Sequence, residues 1–110
     1  MNIYVDIDET ICYHSQEKDR DYSLAKPMKR NIKKINKLYD DGHTITYWTA
    51  RGGTTGIAWT DLTKEQLNNG GAKHHGLVMK KPSYDLFICD KAINSREFFV
   101  IEEKDEDNLS

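Results

Sequence analysis

The sequence predicts an α/β protein built on a mainly parallel, five-stranded sheet. Short apolar runs rich in β-branched and aromatic residues alternate with amphipathic stretches, glycines punctuate the changes between them, and the leading runs end in acids or a threonine. A chain of 110 residues has room for one core. Residues 1–101 are therefore read as a single domain, and 102–110 as an acidic tail that frays.

Taken in order, Asn2-Ile-Tyr-Val-Asp6 opens the chain as a buried strand that delivers side chains to its C-terminal edge. Residues 13–26 are polar and aperiodic, as a loop or a small hairpin lying over that edge would be. Pro27 suits the first turn of a helix. Met28, Ile32, Ile35 and Tyr39 then recur at i, i+4, i+7 and i+11, which gives that helix one apolar face until Asp41-Gly42 stops it. His43 to Trp48 reads as a second strand, and the strand, helix, strand order argues for a parallel pair joined by a crossover. Thr49 falls at its end. Residues 50–60, with Gly52, Gly53 and Gly56, form a flexible loop, and a helix over Asp61 to Asn69 breaks at Gly70-Gly71. Gly76–Met79, Tyr84–Cys89 and Glu97–Ile101 read as the remaining strands. Ligands of such a sheet bind beyond the carboxyl ends of its strands.

The composition, 37% hydrophobic and 31% charged with a formal net charge of -2, is that of a soluble globular protein and gives nucleic acid no electrostatic support as a partner. No apolar run approaches the about 18 residues that a spanning helix needs, so no membrane partner is expected. Cys12 and Cys89 stand far apart with no leader-like pattern in the sequence, which suggests reduced thiols and a cytoplasmic location.

The chemistry concentrates in Asp6-Ile7-Asp8-Glu9-Thr10, where two acids two residues apart follow a buried strand and packing gives neither a reason. A turn begun by Asp8 and capped by Asp6 is the plain alternative. A pair of carboxylates at a strand end divides the labour of ester cleavage well: one attacks, the other gives and takes a proton.

With this motif the chain resembles the haloacid dehalogenase superfamily, whose first motif is Asp-x-Asp-x-Thr at the end of the first strand of a Rossmann-like, three-layer sandwich. The second motif, an apolar strand ending in Thr or Ser, matches Ile45-Thr-Tyr-Trp-Thr49. The third, a Lys often before Pro, matches Lys81-Pro82, with Lys80 as the alternative lysine. The fourth, a strand ending in acid, matches Leu86-Phe-Ile-Cys-Asp90. The resemblance implies a small hydrolase without a cap domain, a Mg²⁺-dependent phosphatase that cleaves phosphomonoesters through an aspartyl-phosphate. Asp6 would be the nucleophile and Asp8 the acid and base. Thr49 and Lys81 would hold phosphate oxygens, with Arg51 steering the substrate or lying in an ordinary solvated loop. Metal binding would fall to Asp6, the backbone carbonyl of Asp8, and Asp90, with Asn94 reaching the metal through a water or simply starting a helix. Two departures stand out: Glu9 where many relatives have Gly, and Cys89 where they often carry a second acid.

The implied substrate is a small phosphorylated metabolite such as a sugar phosphate or nucleotide. A homo-oligomer is plausible, because some capless relatives use a neighbouring subunit as a lid. Two other readings stay open, a polynucleotide-end phosphatase and a receiver-type phospho-accepting signalling domain. A receiver carries its acceptor Asp after a middle strand, where this chain has Thr49. Tyr13, His14 and Trp59 lie in loops that would cover the site, Trp59 being equally suited to packing. His74-His75 reads as a surface pair.

Overall fold

The computed structural model describes residues 1–15, 21–51 and 59–100. Strand β1 (Asn2–Val5) ends one residue before Asp6, with Val5 buried and Tyr4 exposed as the period of a strand requires. The chain then winds tightly: the Ile7 carbonyl accepts hydrogen bonds from the amides of Thr10, Ile11 and Cys12 at 3.1, 2.9 and 3.1 Å. Glu9, inside this coil, has φ 61°, a left-handed conformation that glycine adopts without strain and that costs most L-residues about 1 kcal/mol or more.

The two ends of the polar segment that follows pair with each other. Strand β2 (Cys12–Tyr13) pairs antiparallel with β3 (Lys26–Pro27), and a 3₁₀ turn over Tyr22–Leu24 begins at Asp21, whose carboxylate accepts from the Ser23 amide at 3.0 Å. Pro27 therefore sits in a strand and not in the first turn of a helix. Helix α1 (Lys29–Asp40) starts two residues later and buries Ile32 and Ile35, the heart of its apolar stripe. Its first turn is tied to the acidic coil, because Asn31 Nδ2 donates to the Thr10 carbonyl at 2.9 Å.

Strand β4 (Thr44–Trp48) lies parallel to β1, with Ile3 opposite Ile45 and Val5 opposite Tyr47. Ile45 and Tyr47 are fully buried, and sealing a side chain of the Ile45 type from water contributes about 1.5–3 kcal/mol. Helix α2 (Thr60–Asn69) leads to β5 (Gly76–Val78), which pairs parallel with β4. Both long helices end alike. After α1, the Gly42 amide donates to the Tyr39 carbonyl and the His43 amide to Leu38; after α2, Gly71 donates to Asn68 and Ala72 to Leu67. The turning residues Gly42 and Gly71 have φ 99° and 73°, the left-handed cap that ends a helix abruptly. Asn36 of α1 then bonds the Gly71 carbonyl at 2.8 Å and the Lys73 amide at 2.8 Å, so the end of α2 lies beside α1.

The described fold is thus α/β, a parallel sheet in the order β1-β4-β5 beside a small antiparallel pair, and it is smaller than the five-stranded sheet expected. Two expected strands are not among the strands of this sheet. Residues 84–89 are irregular, with Leu86 and Ile88 75% and 86% exposed. Residues 95–100, which include most of the run 97–101 read as the last strand, are helical. Asn94 explains the second difference: its Oδ1 accepts from the Arg96 amide at 2.9 Å and its carbonyl from the Phe98 amide at 3.0 Å, the bonds of a helix start. Phe99 turns into the core while Val100 faces out. Ile101, the acidic tail 102–110 and most of the 50–60 loop lie outside the described residues. No described helix is long and apolar enough to cross a membrane.

Candidate functional site

Parallel strands place the ends of β1, β4 and β5 at one edge, where Asp6, Asp8, Thr49, Arg51 and Lys81 meet. Asp6 follows β1; its Oδ1 lies 3.4 Å from Lys81 Nζ. Burial pushes the Asp6 carboxyl above the ordinary carboxylate range, while the Lys81 charge and the Ile7 amide pull it back only in part. Thr49 follows β4 and is fully buried. Its amide donates to the Val78 carbonyl at 3.0 Å, its carbonyl accepts from the Lys81 amide at 2.9 Å, and its Oγ1 accepts from the Arg51 amide at 3.2 Å. The Lys81 ammonium rests between the rings of Trp48 and Tyr84, 5.5 and 5.4 Å from their centroids. Lys80, the other candidate, has φ 69° and is exposed. A shallow depression of about 160 Å³, lined by Ala50, Lys81, Pro82, Ser83 and Tyr84, opens beside this cation.

Asp8 is gripped from two sides. Arg51 Nε and Nη2 lie 3.1 and 2.8 Å from its Oδ2 and Oδ1, and His14 Nε2 lies 2.7 Å from Oδ1. Burial would raise the Asp8 carboxyl, but the hydrogen bonds and charge of Arg51, helped by His14, outweigh it and hold the group below the usual carboxylate range. Arg51 is itself 2% exposed. Its Nη1 donates to Thr63 Oγ1 at 3.1 Å and to Gln66 Oε1 at 2.6 Å, and its guanidinium lies 4.8 Å above the Tyr22 ring. Arg51 is therefore neither a solvated loop residue nor, in this arrangement, a free phosphate ligand, because its donors are turned to Asp8 and α2. Around it His14, Tyr22 and Trp59 form an edge-to-face aromatic group, with ring centroids 5.7 and 5.2 Å apart.

A crystal structure of a structural-genomics target from Vibrio cholerae is similar to this chain, with 25% identity and a TM-score of 0.74 over 89% of this chain and 87% of that one. The likeness is one of fold. No family model and no curated protein matches the chain.

The remaining expected metal ligands are not gathered. Asp90 is exposed in a turn and Asn94 is spent on capping the 95–100 helix. Among the described residues no three His, Cys, Asp or Glu side chains form a group that could hold a metal ion. The donor chemistry at Asp6 does fit a cation, since its desolvated carboxylate is only partly offset by Lys81. His74 and His75 are likewise engaged in packing and not a metal pair, against Tyr47 and Tyr39 respectively.

Sequence reading did not single out Tyr22, Thr63 or Gln66. The signal for the last two was present: at positions 63, 66 and 67 of a helix they share a face with Leu67, so two polar groups lie on an apolar stripe. His14 was expected over the site as a cover; the structure brings it onto Asp8.

Proposed function

We propose that the protein is a Mg²⁺-dependent phosphomonoester hydrolase of the haloacid dehalogenase type, working through an aspartyl-phosphate on Asp6. The observation that carries this reading is the division of the two acids: Asp6 faces a lysine beside an open depression, while Asp8 is locked against Arg51 and His14. An oxygen of Asp6 would attack phosphorus as the ester oxygen leaves with a proton from Asp8. Water would then attack the aspartyl-phosphate and lose its proton to Asp8, releasing phosphate and regenerating Asp6. The pull of Arg51 favours the ionised form of Asp8, which suits the second step. Esters with poor leaving groups, which need the proton in the first step, are then the slower substrates. Lys81 and the Thr49 hydroxyl would bind the non-bridging oxygens as charge spreads onto them.

Mg²⁺ would be held by Asp6, the Asp8 carbonyl and Asp90, and when bound it would draw charge from the phosphate. The finer form of the fold belongs to the same reading. β1 is an edge strand of the sheet as described, and Leu86, Phe87 and Ile88 are exposed on a segment with strand composition that ends at Asp90. We read this segment as a further strand for that edge. A small phosphorylated metabolite, such as a sugar phosphate or nucleotide, is the substrate class proposed.

The test is phosphate release from an aryl phosphate, with Mg²⁺ or with chelator, by the wild type and by Asp6→Asn. Metal-dependent turnover that the variant lacks supports the reading. Equal turnover by both proteins would sink it.

A further inference from the structure

We propose that Gln66 is a positioning residue for the reaction, the joint through which the 3₁₀ turn at Tyr22–Leu24 holds Arg51 against Asp8. The inference rests on the reading of Asp8 as the proton-transfer group.

Among the described residues, Gln66 is the one side chain of α2 that hydrogen-bonds both to Arg51 and to the hairpin segment. Its Oε1 accepts from Arg51 Nη1 at 2.6 Å, and its Nε2 donates to the Tyr22 carbonyl at 2.6 Å. Both ends of the amide are thereby used, so its orientation is fixed. Thr63, one turn earlier on the same helix, accepts from the same Arg51 nitrogen at 3.1 Å and donates its hydroxyl proton to the Trp59 carbonyl at 2.7 Å. The Tyr22 ring supports the guanidinium from one face at 4.8 Å, and Trp59 packs against that ring. The planar guanidinium thus has one edge on α2 and another on Asp8, and a fork of fixed shape transmits the position of the first to the second. A lysine in place of Arg51 would carry the charge without the shape.

The consequence is specific. Proton transfer by a positioned side chain contributes about 10²–10⁴ to rate, and much of that depends on placement. Loss of the Gln66 joint leaves Asp8 ionisable and present but less well aimed. The effect on kcat/KM, which reports the first step, falls on esters whose leaving group needs a proton and spares one whose leaving group departs without it. Attack of water on the aspartyl-phosphate, which also uses Asp8, is slowed alike for both.

The test compares wild type, Gln66→Leu and Arg51→Lys on an alkyl and a p-nitrophenyl phosphate with Mg²⁺. In parallel, exchange of the Arg51 Nε–H with solvent is followed by ¹⁵N NMR without substrate. The expected result for Gln66→Leu is a kcat/KM on the alkyl ester reduced about tenfold, with kcat/KM on the aryl ester changed less than about twofold, and faster Nε–H exchange. Arg51→Lys, which keeps the charge, should show the same leaving-group signature. A loss of kcat/KM equal for both esters in a folded variant would mean a merely structural role and would overturn the proposal. Unchanged Nε–H exchange in Gln66→Leu would overturn it whatever the kinetics. Faster exchange in the variant with no turnover by the wild type overturns the reading of Asp8, and with it a role in the reaction, while leaving the physical joint in place.

Discussion

Replacing Arg51 by Met removes a guanidinium that is 2% exposed and makes hydrogen bonds to Asp8, Thr63 and Gln66. Methionine fills much of the aliphatic stem's volume, so the loss is chiefly polar. The Asp8 carboxylate, with its side chain 15% exposed, keeps His14 but loses its two-pronged partner. Deleting one member of a buried pair costs about 3–5 kcal/mol, and the remaining His14 contact argues for the lower end, about 3 kcal/mol. For a domain of this size that is a fall of roughly 10 °C in Tm. The loss should depend on pH. In the wild type the Asp8 carboxyl lies below its ordinary 3.8. Its charge therefore contributes stability that is present above that value and fades as acid titrates the folded protein. In the variant, burial acts without Arg51 and raises the carboxyl above the unfolded value, so ionised Asp8 becomes a net cost at neutral pH that acid relieves. Urea unfolding followed by tryptophan fluorescence should show a gap of about 3 kcal/mol at pH 7 that narrows toward pH 4. A gap under about 1 kcal/mol, the same at both pH values, would refute the claim that Arg51 acts through a desolvated carboxylate.

Three further outcomes are expected. Glu9→Gly relieves the left-handed backbone at φ 61° and should raise stability by about 0.5–1 kcal/mol in thermal melts, whereas Glu9→Val should lower it. Thr49→Val keeps the shape of a fully buried side chain but removes the acceptor for the Arg51 amide. It should cost about 1 kcal/mol in urea unfolding and, on the proposed function, lower kcat/KM for an aryl phosphate about tenfold or more. Gly70→Ala would bring its new methyl to 3.2 Å from the Gln66 carbonyl and 3.3 Å from Ile32 Cδ1. A loss of about 1 kcal/mol is expected on denaturation, and an increase in stability would show that α1 yields more easily than its packing implies.

Patterns with a clear period carried the sequence reading furthest. Ile32 and Ile35 lie on the buried side of α1, and β1 and β4 pair with their acid and threonine at one edge, as the strand, helix, strand order implies. The hairpin was left open between two forms because residues 13–26 have no period. Phe98-Phe-Val-Ile101 misled for a different reason: four consecutive large apolar residues fit a buried strand and a helix turn equally, and the Asn94 cap decided between them. Tyr84 to Cys89 has strand composition, but composition does not supply a pairing partner, and the described sheet leaves these residues outside it. At the site, Asp6, Asp8, Thr49 and Lys81 were legible because motif and strand ends coincide. The link from Arg51 to Gln66 was not, since it spans 15 positions and depends on how α2 docks.

The Ile7 carbonyl is the pivot of the acidic coil. By accepting from three successive amides it closes the main chain from Ile7 to Cys12 into a tight coil, to which Asn31 adds one side-chain bond. The turn that carries Asp8 away from β1 is then set by main-chain bonds, insensitive to much of what occupies positions 9 and 10 so long as the coil closes. One residue inserted there would rotate Asp8 away from Arg51, whereas many single substitutions would leave the pair in register. Backbone bonds thus place the Asp8 main chain, and Arg51 and His14 aim its carboxylate.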